Sequence, residues 1–326
     1  MRGDVKLALF NGCRSWLALI AAIAVVPAAA EEVAIRRGEQ GALITVDGTQ
    51  FAAYVIHSGH QPVIWPIIGP GGQRMTRQYP LGEPSSDEAT DHPHHRSLWF
   101  NHGSVNGLDF WAEPPLDRAD GPDNQIRHRE FVAQKSGDGS AKLVVTNDWM
   151  SNGKKICEDE RTILFGSDKN GRWIDLKVVV TASEGPLVFG DTKEGSFGIR
   201  VPSAVAVDAK LGGEIRNSRG NRNDAAWGRA AEWVDYHGVV DEKPVGIAVF
   251  DMPDSFRHPT RWHVRTYGLF AANPFGQRDF PADDKSQGNA SLALGEQLGL
   301  HYRVLFYSGE LAPADLDAIY HGYCGD

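Results

Sequence analysis

Apolar side chains in this chain recur at every second position over short runs. That period sets one face of a strand against a core and turns the other away from it. Trp173 to Val180 places Ile174, Leu176, Val178 and Val180 on one face. Leu300 to Tyr307 does the same with Leu300, Tyr302, Val304 and Phe306. Similar runs are Ala42 to Val46, Phe51 to Ile56, Lys142 to Trp149, Thr162 to Phe165, Val234 to Val239, Val245 to Phe250 and Trp262 to Tyr267. Between them lie Asp47-Gly48, Gly137-Asp138-Gly139, Asn152-Gly153 and Asn170-Gly171, residues that tolerate the positive φ of tight hairpins. With 36 glycines and 18 prolines the chain can turn often. One segment reads as helix, Pro313 to Tyr320, which opens with proline and acids in its first turn. The pattern predicts an all-β protein: a large antiparallel β-sandwich or barrel-like assembly with a short C-terminal helix.

Residues 1–30 carry a different signal. Lys6 and Arg14 precede an apolar run from Trp16 to Val26, followed by Pro27 and three alanines before Glu31. This is the pattern of a cleaved secretory signal peptide, and the run is shorter than the roughly 20 residues that span a bilayer. The expected mature protein, residues 31–326, is a single β-sandwich domain located in the periplasm or secreted, with no integral membrane association. Its net charge of -9 argues against nucleic acid as a partner and suits a small-molecule ligand. Cys157 and Cys324 remain after cleavage, and export permits a bridge between them as readily as two buried thiols. Polar loops at Asp117 to Asn124 and Phe280 to Asn289 can serve as lids.

Chemistry concentrates in residues 91–111. Four of twelve histidines fall there, His92, His94, His95 and His102, together with Arg96, Trp99, Asn101, Asn106 and Trp111. Imidazoles titrate near neutral pH and ligate metals. Amides and guanidinium groups bind hydroxyls and carboxylates, and aromatic faces cover apolar ligand surface. A strand over residues 94–100 would set His94 and Arg96 on one face and His95 and Trp99 on the other. A second cluster, Asp191, Lys193, Glu194 and Arg200, lies among glycines and combines carboxylates with cations, as acid–base work requires. In a third stretch Arg261, His263 and Arg265 alternate on one prospective strand face. Asparagines, histidines and arginines beside tryptophans suit a sugar, whose axial hydrogens stack on rings while its hydroxyls bind polar groups. Phosphate loops, Gly-x-Ser-x-Gly elbows and His-Glu-x-x-His motifs do not occur in the sequence.

The run Asp91-His92-Pro93-His94-His95-Arg96, with Leu98-Trp99-Phe100, His102-Gly103, Asn106-Gly107 and Asp109-Phe110-Trp111, resembles the PmoA-like family. Gly190 to Gly195 and Asn273-Pro274-Phe275-Gly276 share in the resemblance, which extends from about residue 50 to residue 323. One departure is Ser97, where the family more often has glycine. Members often carry the label methane oxygenase, or that of a domain of unknown function. The oxygenase label fits poorly, because the methane monooxygenase subunit of that name crosses the membrane several times. The resemblance implies a galactose mutarotase-like supersandwich and, by analogy, sugar chemistry. It carries over no catalytic residue.

The expectation is an exported carbohydrate-active protein. As an epimerase, lyase or hydrolase it would use His92, His94, His95, Arg96, His102, Asp191 and Glu194 in one cleft for acid–base chemistry. Trp99, Asn101, Asn106, Trp111, Lys193, Arg200, His263 and Arg265 would bind the substrate. The alternatives are a non-catalytic carbohydrate-binding module and a metal-dependent enzyme. The first reading needs no cofactor; the last needs a divalent metal on His92, His94 and His102.

Overall fold

A computed structural model describes residues 1, 30–113, 123–281 and 288–325. The expected leader and most of both polar loops lie outside the described residues. Two large sheets, antiparallel throughout, face one another. The first runs, in spatial order, Trp262–Val264, Leu269–Ala272, Gly195–Arg200, Leu98–His102, Gln61–Ile67, Thr49–Ser58, Gly41–Val46, Glu32–Gly38 and Gly137–Asp138. The second runs Glu214–Asn217, Trp233–Val240, Lys243–Asp251, Gln297–Ser308, Gly171–Thr181, Lys154–Asp168, Ser140–Ser151 and Asn124–Lys135. A two-stranded ribbon pairs Leu187–Phe189 with Ala290–Leu292.

The turns follow from local chemistry. Asp47 and Gly48 have φ of 46° and 74°, and Asn152 and Gly153 have 48° and 77°. Two consecutive residues with positive φ make a turn whose twist matches the flanking strands, so Val46 pairs with Thr49 and Ser151 with Lys154.

The core is the interleaving of the two inner faces. Ile174, Leu176, Val178 and Val180, and likewise Leu300, Tyr302, Val304 and Phe306, are all buried, as the alternation predicts. Phe51 of the first sheet meets Phe165 and Phe306 of the second at ring distances of 6.2 and 6.4 Å. Burying one such side chain contributes about 1.5–3 kcal/mol.

Each outer face carries a further apolar cluster. On the second sheet Trp233, Phe250, Leu305 and Tyr307 are covered by the helix Pro313–Cys324 through Leu316 and Tyr320. That helix opens on Pro313, and the Asp315 carboxylate accepts the Ala312 N–H at 2.8 Å. Cys157 lies in the main core and Cys324 beside the helix cluster; no disulfide joins them. On the first sheet Val63, Trp99, Trp111, Leu269 and Ala271 form the outer cluster, and the cleft described below opens above them. Among the described residues no helix is long and apolar enough to cross a membrane.

Candidate functional site

The expected strand over 94–100 is corrected: extended structure begins only at Leu98. Ser97 has φ of 57°, a left-handed conformation that favours glycine and interrupts a strand. Its hydroxyl offsets part of the strain by donating to the Ile64 carbonyl at 2.7 Å, and it lies 2.8 Å from the Thr76 hydroxyl. Residues 91–96 therefore form a loop, and the expected face-sharing of His94 with Arg96 does not occur.

A residue outside every motif holds that loop. Arg77, fully buried, donates to the carbonyls of Tyr79, Ala89, Asp91, His92 and His95 and to the Asp91 carboxylate. Burial and the adjacent Arg200 lower its guanidinium to about 10, so it remains a cation at neutral pH. Asp91 Oδ1 accepts from Arg77 and Arg200, each at 2.7 Å, and Oδ2 accepts from His92 Nδ1 at 2.6 Å. Partial burial opposes the Asp91 charge, but Arg200, His92 and Arg77 outweigh it and hold the carboxyl below its usual range.

The histidine rings stack above this base. His92 lies parallel to His95 at 4.8 Å and to Tyr267 at 5.1 Å, and His95 lies over Trp99 at 5.4 Å. Arg200 Nη1 is 3.1 Å from His95 Nδ1. A guanidinium only donates, so Nδ1 accepts and a neutral His95 carries its proton on Nε2. Burial, then His94 and Arg200, push the His95 pKa far down. His94 stands edge-on to His95 at 4.4 Å and has no hydrogen bond to any described residue. Burial and the surrounding cations lower it to about 4, so it is a neutral imidazole at neutral pH.

His92, His94, His95, Asp109 and Trp111 line a cleft of about 430 Å³ together with Lys193, Glu194, His263, Arg265 and Tyr267. Asp109 Oδ1 accepts the N–H groups of Trp111 and Ala112, which fixes the loop carrying Trp111. Trp227 Nε1 donates to His263 Nδ1 at 2.9 Å, so His263 also carries its proton on Nε2. Burial, with Arg265 and Lys193 nearby, lowers its pKa to about 3. Burial raises the Glu194 carboxyl; Asp109 and Asp279 raise it further, while Lys193 and His92 oppose them.

Not every expected residue reaches the cleft. Arg96 forks onto the Glu113 carboxylate at 2.8 and 2.7 Å. His102 is on the inner face of its strand, fully buried, with Nε2 donating to the Gly190 carbonyl and Nδ1 bonded to the Ser196 hydroxyl. The Asp191 carboxylate accepts backbone N–H groups of Arg278 and Gly288. Asn101 donates to the Phe110 carbonyl, and Asn106 ties down Pro186 and Val188. These five serve loop architecture. Trp99 and Arg200 lie beneath the cleft rather than lining it. The trio His92, His94 and His102 is split by the sheet, and among the described residues no cluster of three or more histidine, cysteine or carboxylate side chains is arranged to hold a metal. Arg261 turns to the Gly228 carbonyl instead of joining His263. The sequence reading missed Arg77 and Tyr267. Arg77 has no motif around it; Tyr267, two residues beyond Arg265 in an aromatic-rich stretch, offered some signal.

A β-sandwich with a ring-lined, polar cleft on the outer face of one sheet is thus the class of protein that fold and site define. Residues 42–321 match a family of unknown function, DUF6807, and the chain belongs to that family. No curated protein matches it. Among solved structures it is similar to the heparan sulfate lyase HepC from Pedobacter heparinus, at 9% identity and a TM-score of 0.38. That match covers 87% of this chain but 36% of the lyase, so the chain spans about a third of its length. It is also similar to a putative aldose 1-epimerase from Escherichia coli K12, with 10% identity, a TM-score of 0.36 and 86% and 100% of the two chains covered. The galactose 1-epimerase from Lactobacillus acidophilus gives 9%, 0.37, 87% and 100%.

Proposed function

We propose that this protein is an exported carbohydrate-active enzyme that moves protons at a sugar bound in the outer cleft. The observation that carries this reading is the pairing, in one ring-lined cleft, of Glu194, a carboxyl whose pKa burial raises, with His94, a neutral imidazole without a described hydrogen-bond partner. A protonated carboxyl can donate to a ring or leaving oxygen, and a neutral imidazole can accept a proton from a hydroxyl or an activated carbon. Epimerisation, elimination and hydrolysis all draw on that pair, and none of the steps assigned to it requires a cofactor. The neutral His95 and His263, each with a fixed Nε2–H, supply donors for hydroxyls. Tyr267 and Trp111 contribute aromatic rings to the lining. The likeness of the 91–111 motif to PmoA-like proteins supports a sugar as ligand, and the leader-like residues 1–30 support export.

The test is turnover of a panel of mono- and disaccharides by the mature protein and by His94→Gln and Glu194→Gln. Each variant is expected to lose about 10²–10⁴-fold in kcat, the usual worth of a positioned acid or base, with melting temperature preserved. Sugar binding without turnover by the unmodified protein would favour the binding-module reading. Full turnover by both variants would remove His94 and Glu194 from the mechanism.

A further inference from the structure

The acid–base pair leaves one charged group in the cleft without a task. Arg265 is half-buried, its guanidinium 5.6 Å from the Trp227 ring centre and 5.8 Å from that of Tyr267. Among the described residues no carboxylate lies within ion-pair distance of it and no acceptor takes its N–H groups. The neighbouring arginines are all committed: Arg77 and Arg200 to Asp91, Arg96 to Glu113. A guanidinium removed from bulk water is stabilised when its fork of donors meets a planar two-oxygen acceptor. Here the two rings flank the fork, and among the described residues its donors have only the cleft to turn to.

The surroundings favour an anion at the same end. Lys193 borders the cleft, and its nearest carboxylate, Glu194, is 3.8 Å away. His263, fixed by Trp227, adds an Nε2–H donor. Beneath the floor, two buried arginines share the single carboxylate of Asp91. Lys193 and Arg265 balance Asp109 and Glu194 along the lining, and the second arginine on Asp91 leaves one surplus positive charge beneath the floor. A neutral sugar would leave Arg265 desolvated and unmatched, and such a group disfavours binding.

We propose that the cleft is specific for an acidic sugar, a hexuronate whose carboxylate is received by the Arg265 guanidinium with Lys193 and His263 Nε2–H beside it. This deepens the reading above and rests on it, since the sugar ring still lies against Tyr267 and Trp111. A guanidinium fork can receive a carboxylate or a tetrahedral oxyanion bidentately, and titration with a sulfate ester separates the two.

Calorimetric titration of the mature protein with D-glucuronate, D-galacturonate, D-glucose, D-galactose and D-glucose 6-sulfate tests this. The uronates are expected to bind at least about tenfold more tightly than the neutral hexoses, a difference of about 1.4 kcal/mol, and to weaken with added salt. Arg265→Gln should abolish the preference by weakening uronate binding at least about tenfold; Arg265→Lys, which keeps the charge and loses the fork, should retain part of it. Equal affinity for uronates and neutral hexoses overturns the specificity and leaves the sugar reading standing. A preference that survives in Arg265→Gln, or tighter binding of the sulfate ester, also overturns it. Failure of every sugar to bind overturns both.

Discussion

At the scale of single residues, Ser97 shows how a strained position is retained. Its left-handed φ suits glycine, yet its hydroxyl bonds the buried Ile64 carbonyl and sits against Thr76. Glycine would relieve strain of about 1 kcal/mol but leave those two polar groups unmatched, at a cost of about 1–3 kcal/mol. Alanine would keep the strain and lose the hydrogen bonds as well. The stability order under urea is therefore expected to be serine, then glycine, then alanine, with Ser97→Ala about 1 kcal/mol below Ser97→Gly. An alanine variant as stable as the glycine variant would show that the backbone there is unstrained. The position also marks where reading by residue type failed. Nothing in the letters His-His-Arg-Ser-Leu-Trp says that the chain breaks at 97, and the break parts His94, which lines the cleft, from Arg96, which turns to Glu113.

At the scale of elements, the 89–96 loop owes its shape to one side chain from another segment. Arg77 is linked to five backbone carbonyls and one carboxylate while fully buried. Arg77→Met would strand the acceptors of Ala89, His92 and His95 and leave the Asp91 carboxylate with Arg200 and His92. Removing one partner of such a buried network costs about 3–5 kcal/mol. The variant should unfold at correspondingly lower urea and, where it folds, lose ligand binding; unchanged stability would refute the clamp. This dependence explains what the sequence could and could not tell. Strands with clean alternation, such as Gly171–Thr181 and Gln297–Ser308, were legible because the period follows from one buried and one exposed face. Glu32–Gly38, Gln61–Ile67 and Asn124–Lys135 were missed: the first and third carry charges through their length, and the second is buried at both faces over most of its run, which erases the period. In the site, His92, His94, His95, Trp111, Lys193, Glu194, His263 and Arg265 do meet. His102, Asp191, Asn101 and Asn106 have the same polar character but spend it on neighbouring loops, a distinction that rests on tertiary partners.

At the scale of the whole molecule, the buried histidines set the response to acid. His95, His102 and His263 are neutral in the folded protein, with pKa values depressed chiefly by burial, to about 4 for His102 and about 3 for His263. In the unfolded chain each titrates near 6.5. Below that pH the unfolded state binds protons that the folded state refuses, so stability falls as pH drops, by roughly 1.4 kcal/mol per unit for each ring at most. His258 and His301 act oppositely. Asp251 chiefly raises His258, while His301, though burial opposes it, is raised by Asp175 and Asp254. Their contribution is complete below about 6.5 and fades as pH rises through the elevated folded values. Urea unfolding is therefore expected to show greatest stability near pH 6.5–7 and a loss of several kcal/mol by pH 5. Equal stability at pH 7 and pH 5 would mean that these rings are protonated in the fold.

The order of strands in the first sheet has a consequence for how the protein comes into being. The hairpin of Trp262–Val264 and Leu269–Ala272 lies beside Gly195–Arg200 and Leu98–His102, though long stretches of chain separate the hairpin and those two strands. His94, Glu194 and Arg265 come within reach of one ligand only after those stretches have closed on themselves, an event slowed by the entropy of long loops. During synthesis, a nascent chain released only as far as residue 200 would hold half of a cleft. Ligand capture thus reports completion of the sheet, and any selection acting on the cleft acts equally on the most distant pairings that build it.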